Sequence, residues 1–76
     1  MSKPTFYYVD RIDEAGVTTV LLNLNYVKEI YAALVDAVQD QYKIVYVLKD
    51  NSFRYSLDLY NGSEEASNEI QESFME

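Results

Sequence analysis

Histidine, cysteine and tryptophan are absent from this 76-residue chain, and glycine (two) and proline (one) are scarce. Without His or Cys the commonest general base, the soft metal ligands and the thiol nucleophile are missing, so any catalysis would fall to carboxylates, Lys, Tyr or Ser. Gly16 and Gly62 are the only glycines, too few for a phosphate-binding loop, which excludes a P-loop nucleotide hydrolase. Lack of cysteine rules out disulfides, so a core this small depends on packing, a metal or partners. No apolar run approaches the roughly 18 residues of a membrane span. Met1-Ser2-Lys3-Pro4 lacks the hydrophobic stretch of a signal peptide, so a cytoplasmic protein with no membrane contact is expected. Scarce breakers and 49% hydrophobic residues imply one folded domain over residues 1–76.

Eight tyrosines and a formal charge of −7 are what the chain has in excess. Tyrosine offers a large, stiff contact area with a polar tip, which suits binding better than catalysis. The charge is uneven. Residues 1–60 carry eight acids and six bases, whereas Glu64, Glu65, Glu69, Glu72 and Glu76 supply the remaining −5 with no Lys or Arg among them.

Thr5–Ile12 (TFYYVDRI) and Val17–Leu24 (VTTVLLNL) are aromatic and β-branched and flank Asp13-Glu14-Ala15-Gly16, so they predict a hairpin with a loop of about four residues. Val27, Ile30, Tyr31, Leu34, Val35 and Val38 then fall at helical spacing, with Asn25 as N-cap and Ala32, Ala33 and Ala37 favouring helix, which predicts a helix over about 26–40. The stretch Asn23-Leu24-Asn25-Tyr26-Val27-Lys28-Glu29-Ile30 can also be read as a strand end, a short turn and a new strand to about Val35. In that form it resembles a piece of the LytTR-type DNA-binding β domain. The basic loops of that family are missing and the C-terminal end is acidic, so the helix reading is preferred.

Tyr42, Ile44, Tyr46 and Leu48 alternate with Lys43, Val45, Val47 and Lys49 in what reads as a central strand. Asp50-Asn51 fits a two-residue turn, and Phe53, Tyr55, Leu57 and Leu59 alternate with polar residues in a fourth strand. After Asn61-Gly62-Ser63, with Asn61 or Ser63 as cap, Ala66, Ile70 and Phe74 recur every four residues and predict a helix to about Met75. The order is ββαββα: an α+β fold with a four-stranded antiparallel sheet and both helices on one face. Residues 1–40 and 41–76 would then form a loose ββα repeat.

Candidates for chemistry are few. Asp36 and Asp40, i and i+4 on the predicted first helix, and the oxygen-rich run Asp58, Asn61, Ser63, Glu64, Glu65 are explained by solvated charge and capping, since no Ca²⁺-loop spacing is present. No catalytic residue, metal site or cofactor is assigned. Lys43, Lys49 and Arg54 near Tyr46, Tyr55 and Tyr60 have the makings of a base-stacking platform, but three cations on a chain of −7 weigh against nucleic acid. Tyr42, Tyr46 and Tyr55 share faces with core residues, and the other tyrosines are too many to bury. Partner-binding candidates are therefore Glu64, Glu65, Glu69, Glu72 and Glu76, where 65, 69, 72 and 76 approach one stripe, with Tyr26 and Tyr60.

These features point to a non-enzymatic protein-binding module facing a basic partner surface. Its most specific form is a small acidic inhibitor of the phage type, which blocks a nucleic-acid-binding groove of a host defence protein by charge mimicry. The alternative is a homo-oligomeric assembly protein that pairs strand edges or packs Tyr-rich faces.

Overall fold

A computed structural model describes residues 6–74. Strands β1 (Phe6–Asp13) and β2 (Gly16–Asn23) form the expected hairpin, in unbroken register from Phe6↔Asn23 to Asp13↔Gly16. The connection is only Glu14-Ala15, tighter than the four residues expected. Asp13 Oδ1 accepts from the Ala15 amide, and Gly16 takes a φ of 122° that a side chain would resist.

The first predicted helix does not form. Its place is taken by a 3₁₀ turn, Leu24–Tyr26, and a ten-residue strand, β3 (Val27–Asp36), paired antiparallel with β4 (Gln41–Leu48). The cap is Asn23, not Asn25: its Oδ1 accepts from the Asn25 amide at 2.9 Å. The helical spacing has a specific origin in two β-bulges. Pairing runs Val27↔Leu48 then Glu29↔Val47, so Lys28 is an extra residue, and Leu34↔Tyr42 then Asp36↔Gln41, so Val35 is another. Because a bulge adds one residue to a period of two, Val27 and Ile30 stand three apart yet both pack on the core. Alanine propensity is overridden because β4, buried from Ile44 to Leu48, needs a strand partner on that side, and the Val, Ile and Tyr content of β3 fits one.

The fourth predicted strand is also broken. β5 spans only Phe53–Tyr55, and a two-residue β6, Tyr60–Asn61, pairs with the start of β4. Between them Ser56, 5% exposed, leaves the ladder: its amide donates to Ile44 O at 2.8 Å, while its hydroxyl accepts from Ile44 N at 3.0 Å and donates to Asp58 O at 2.9 Å. A side chain here does the work of a backbone carbonyl. Ser56→Ala would strand the buried Ile44 amide and is expected to cost roughly 1–3 kcal/mol in urea unfolding. A loss below about 0.5 kcal/mol would mean that water replaces the hydroxyl.

The second predicted helix is present as α1 (Ser63–Phe74), with Ala66 buried and Ile70 and Phe74 on the core, at the expected steps of four. Gly62 precedes it at φ 88°, and Glu65 Oε1 reaches back to accept from the Asn61 amide. Phe74 closes the far end, its ring 5.1 Å from Tyr7 and edge-on to Tyr46 at 5.8 Å.

Over the described residues the architecture is thus a six-stranded antiparallel sheet with one α-helix, not four strands and two helices in ββαββα order. Among the described residues, 6–40 contain three strands and no α-helix, so the two halves do not share a ββα order. The main path runs β2-β1-β5-β4-β3, with β2 and β3 at the edges. Val9, Leu22, Ile44, Tyr46 and Leu48 form the core on one side of the sheet, under α1 and Leu24 of the 3₁₀ crossover. The shortest dimension is 18 Å, one sheet plus one covering layer.

Candidate functional site

Among the described residues, the opposite side of the sheet carries no covering element. Its composition follows from register. In antiparallel pairs directly opposed residues share a face, so Tyr8 and Leu21, Ile12 and Val17, Tyr31 and Val45, and Phe53 and Val47 lie together, opposite in parity to the core set. Val45, Val47 and Tyr55 fill its centre, with the two valines buried by their neighbours. Around them Phe6, Tyr8, Ile12, Val17, Leu21, Tyr31 and Phe53 are exposed, Tyr8 to 67% and Val17 to 64%. In the middle of this face the two charges neutralise each other, since Lys43 Nζ lies 3.7 Å from Asp10 Oδ2 with both side chains mostly buried, while Glu29 and Asp36 lie out on the β3 edge. Thr19 Oγ1 also donates to Asp10.

The acids singled out from sequence differ in their surroundings along α1. Glu64 and Glu65 occupy the first turn of α1, where their charge favours the helix dipole, and Glu65 is engaged at the cap. Glu69 is half-buried, accepts from Ser73 Oγ, and lines a cleft with Tyr7, Tyr46, Tyr60 and Phe74. Glu72 is exposed and Glu76 lies outside the described residues. Burial, then Tyr60, Tyr7 and Glu69, push the Tyr46 hydroxyl well above the usual tyrosine range, and burial followed by Glu69 raises Tyr60.

The tyrosines divide likewise. Tyr46 is buried as expected, Tyr42 and Tyr55 are half-buried, and Tyr60 packs on the core beside Glu69. Tyr26 is exposed in the 3₁₀ crossover and is not near Tyr60: it lines a cleft of about 550 Å³ with Arg11, Lys49, Arg54, Leu22 and Leu48. The cations there are partly answered, Arg11 by Asp13 at 3.6 Å and Arg54 by the Phe53 carbonyl, to which it donates at 2.8 Å. Hydrogen bonds from Ser52, then the Arg54 charge, hold the Asp50 carboxyl below its ordinary range.

The supposed stacking platform is not assembled, because Lys43 is on the open face, Arg54 is on the helix side opposite Tyr46, and Tyr46 is buried. Asp36 and Asp40 do not share a helix face: Asp36 Oδ1 caps the turn by accepting from Val38 and Gln39, and Asp40 sits in that turn at φ 55°. Among the described residues no group of three or more acids could hold a metal, and no helix is long and apolar enough to cross a membrane.

Sequence reasoning missed the open face. Its signal was legible: β1 and β2 are apolar at both parities, Phe6-Tyr8-Ile12 and Val17-Leu21 as well as Tyr7-Val9 and Val20-Leu22, although a half-covered sheet needs only one apolar face. No family model, curated protein or solved structure matches the chain.

Proposed function

We propose that this chain is a cytoplasmic, non-enzymatic protein-binding module that assembles with copies of itself through the open face of its sheet. The observation that carries this reading is the uncovered apolar surface. Its seven exposed side chains leave roughly 600 Å² in solvent, taking about 200 Å² for each complete aromatic side chain and about 100 Å² for each aliphatic one. That is most of the roughly 800 Å² per partner of a stable interface and lies at the top of the patch range of about 300–600 Å² that a monomer displays. A second copy suits it electrostatically, because Asp10 and Lys43 cancel at its centre. Two chains of −7 can therefore meet there without burying an unpaired charge at the centre. The acidic helix supports charge mimicry less well, since Glu65 and Glu69 are turned to the cap and to Tyr60.

The test is sedimentation or light scattering at low micromolar concentration. The native chain is expected to be a multiple of 8.8 kDa. Tyr8→Glu should at least halve that mass and weaken association tenfold or more, about 1.4 kcal/mol. A native monomer, or a Tyr8→Glu assembly unchanged in mass, would overturn the reading.

A further inference from the structure

The two edges of the sheet are not equivalent. β3 carries two bulges, at Lys28 and Val35, and three charges, Lys28, Glu29 and Asp36, which are the devices by which natural edge strands resist pairing with other chains. β2 has none of them. Gly16–Asn23 (GVTTVLLN) is eight residues long, uncharged, free of proline, in uninterrupted register with β1, and, among the described residues, joined to no strand on its other side. Main-chain donors and acceptors along that free side call for one kind of occupant, an extended strand.

We infer that the free edge of β2 pairs antiparallel with β2 of a second copy. This rests on the self-association proposed above and adds a second interface to it. A strand paired with itself in this way is related by a two-fold axis perpendicular to the sheet, so both helices stay on one side and both open faces on the other. The apolar surface then continues across the seam, because Val17 and Leu21 belong to the open face and lie on the edge strand itself. Charge also favours a copy over a foreign acidic or basic strand. Residues 16–23 bring no charge to the seam, and the Asp13-Glu14 end of one hairpin lies toward the uncharged Asn23-Leu24-Asn25 end of its partner. Edge pairing within a dimer and face packing between dimers together give a tetramer of 222 symmetry.

Native mass spectrometry and hydrogen exchange test this on the full chain. The expected mass is four times 8.8 kDa. Thr18 is exposed and lies opposite Arg11, so Thr18→Glu gains a favourable cross-strand neighbour within the fold while placing a carboxylate on the edge. It should halve the mass, as should Tyr8→Glu, and the double variant should be monomeric. In the native assembly all interior amides of β2 should be protected, whereas in Thr18→Glu alternate ones should exchange at least about tenfold faster. A native dimer dissolved by Tyr8→Glu and untouched by Thr18→Glu would overturn the edge pairing and leave the face reading standing. Alternate β2 amides exchanging freely in the native assembly, or protected only when a foreign peptide is added, would also overturn it. A native monomer would end both.

Discussion

Replacing Ile44 by alanine is expected to remove a large part of the stability of this domain. Ile44 is 1% exposed at the middle of β4, and its face is opposite Ala32 of β3 and next to Val9 in the core. Its amide and its carbonyl are both held by Ser56, so the strand cannot easily shift to close the void. Truncations of this kind cost roughly 2–5 kcal/mol, the upper part of the range applying where surroundings cannot collapse. A chain of this length has about 4–11 kcal/mol in total. The urea midpoint of Ile44→Ala should therefore fall by about half at unchanged slope, and a loss under about 1 kcal/mol would show that this is not the centre of the core. Val17→Ala supplies the contrast. In dilute monomer it should change stability by less than about 0.5 kcal/mol. At concentrations where the open face is covered its cost should grow, because association stabilises the folded chain by mass action.

What could be read from sequence depended on whether one element could be judged by itself. The β1–β2 hairpin, the buried β4 and α1 were legible because period, turn chemistry and capping agreed locally: Gly16, Asn51 at φ 71°, and Ala66-Ile70-Phe74 each serve as their residue types suggest. β3 was not, because bulges at Lys28 and Val35 convert a strand period into an apparent helical one, and only the pairing with β4 exposes the difference. The alternative strand reading of Asn23 to Val35 described its course, on residues too common to decide the matter alone. The open face was missed for a different reason. Even with two helices on one side of the sheet, the second apolar parity of β1 and β2 had nothing to bury it, and only the register of the strands shows which side chains share that side. Phe6, Tyr8, Ile12, Val17 and Leu21 stand exposed there, and the weight of the functional argument moves from the glutamates of α1 to the sheet. Tyr60 changed role for a related reason, since the break at Ser56 returns the chain to β4 and turns that ring onto the core.

Raising the pH past 10 is expected to unfold the protein by way of Tyr46. That hydroxyl belongs to a side chain only 3% exposed, and burial, then Tyr60, Tyr7 and Glu69, favour its neutral form in the folded chain. An unfolded tyrosine titrates near 10, so the folded value lies above the unfolded one. The neutral phenol therefore contributes its full stabilisation below about pH 10, and that contribution is lost as pH rises from there toward the folded value. The loss for one such group is at most about 1.4 kcal/mol per pH unit. Tyr60, also raised and for burial first, acts in the same direction. The urea midpoint should be flat from about pH 7 to 9 and then fall steeply, with tyrosinate absorbance rising in a cooperative step that coincides with loss of sheet signal. Tyr46→Phe should remove much of the slope while Tyr8→Phe, at the exposed face, leaves it intact. If both variants keep the native slope, general charge repulsion in a chain already at −7, and not the buried phenol, governs the alkaline limit.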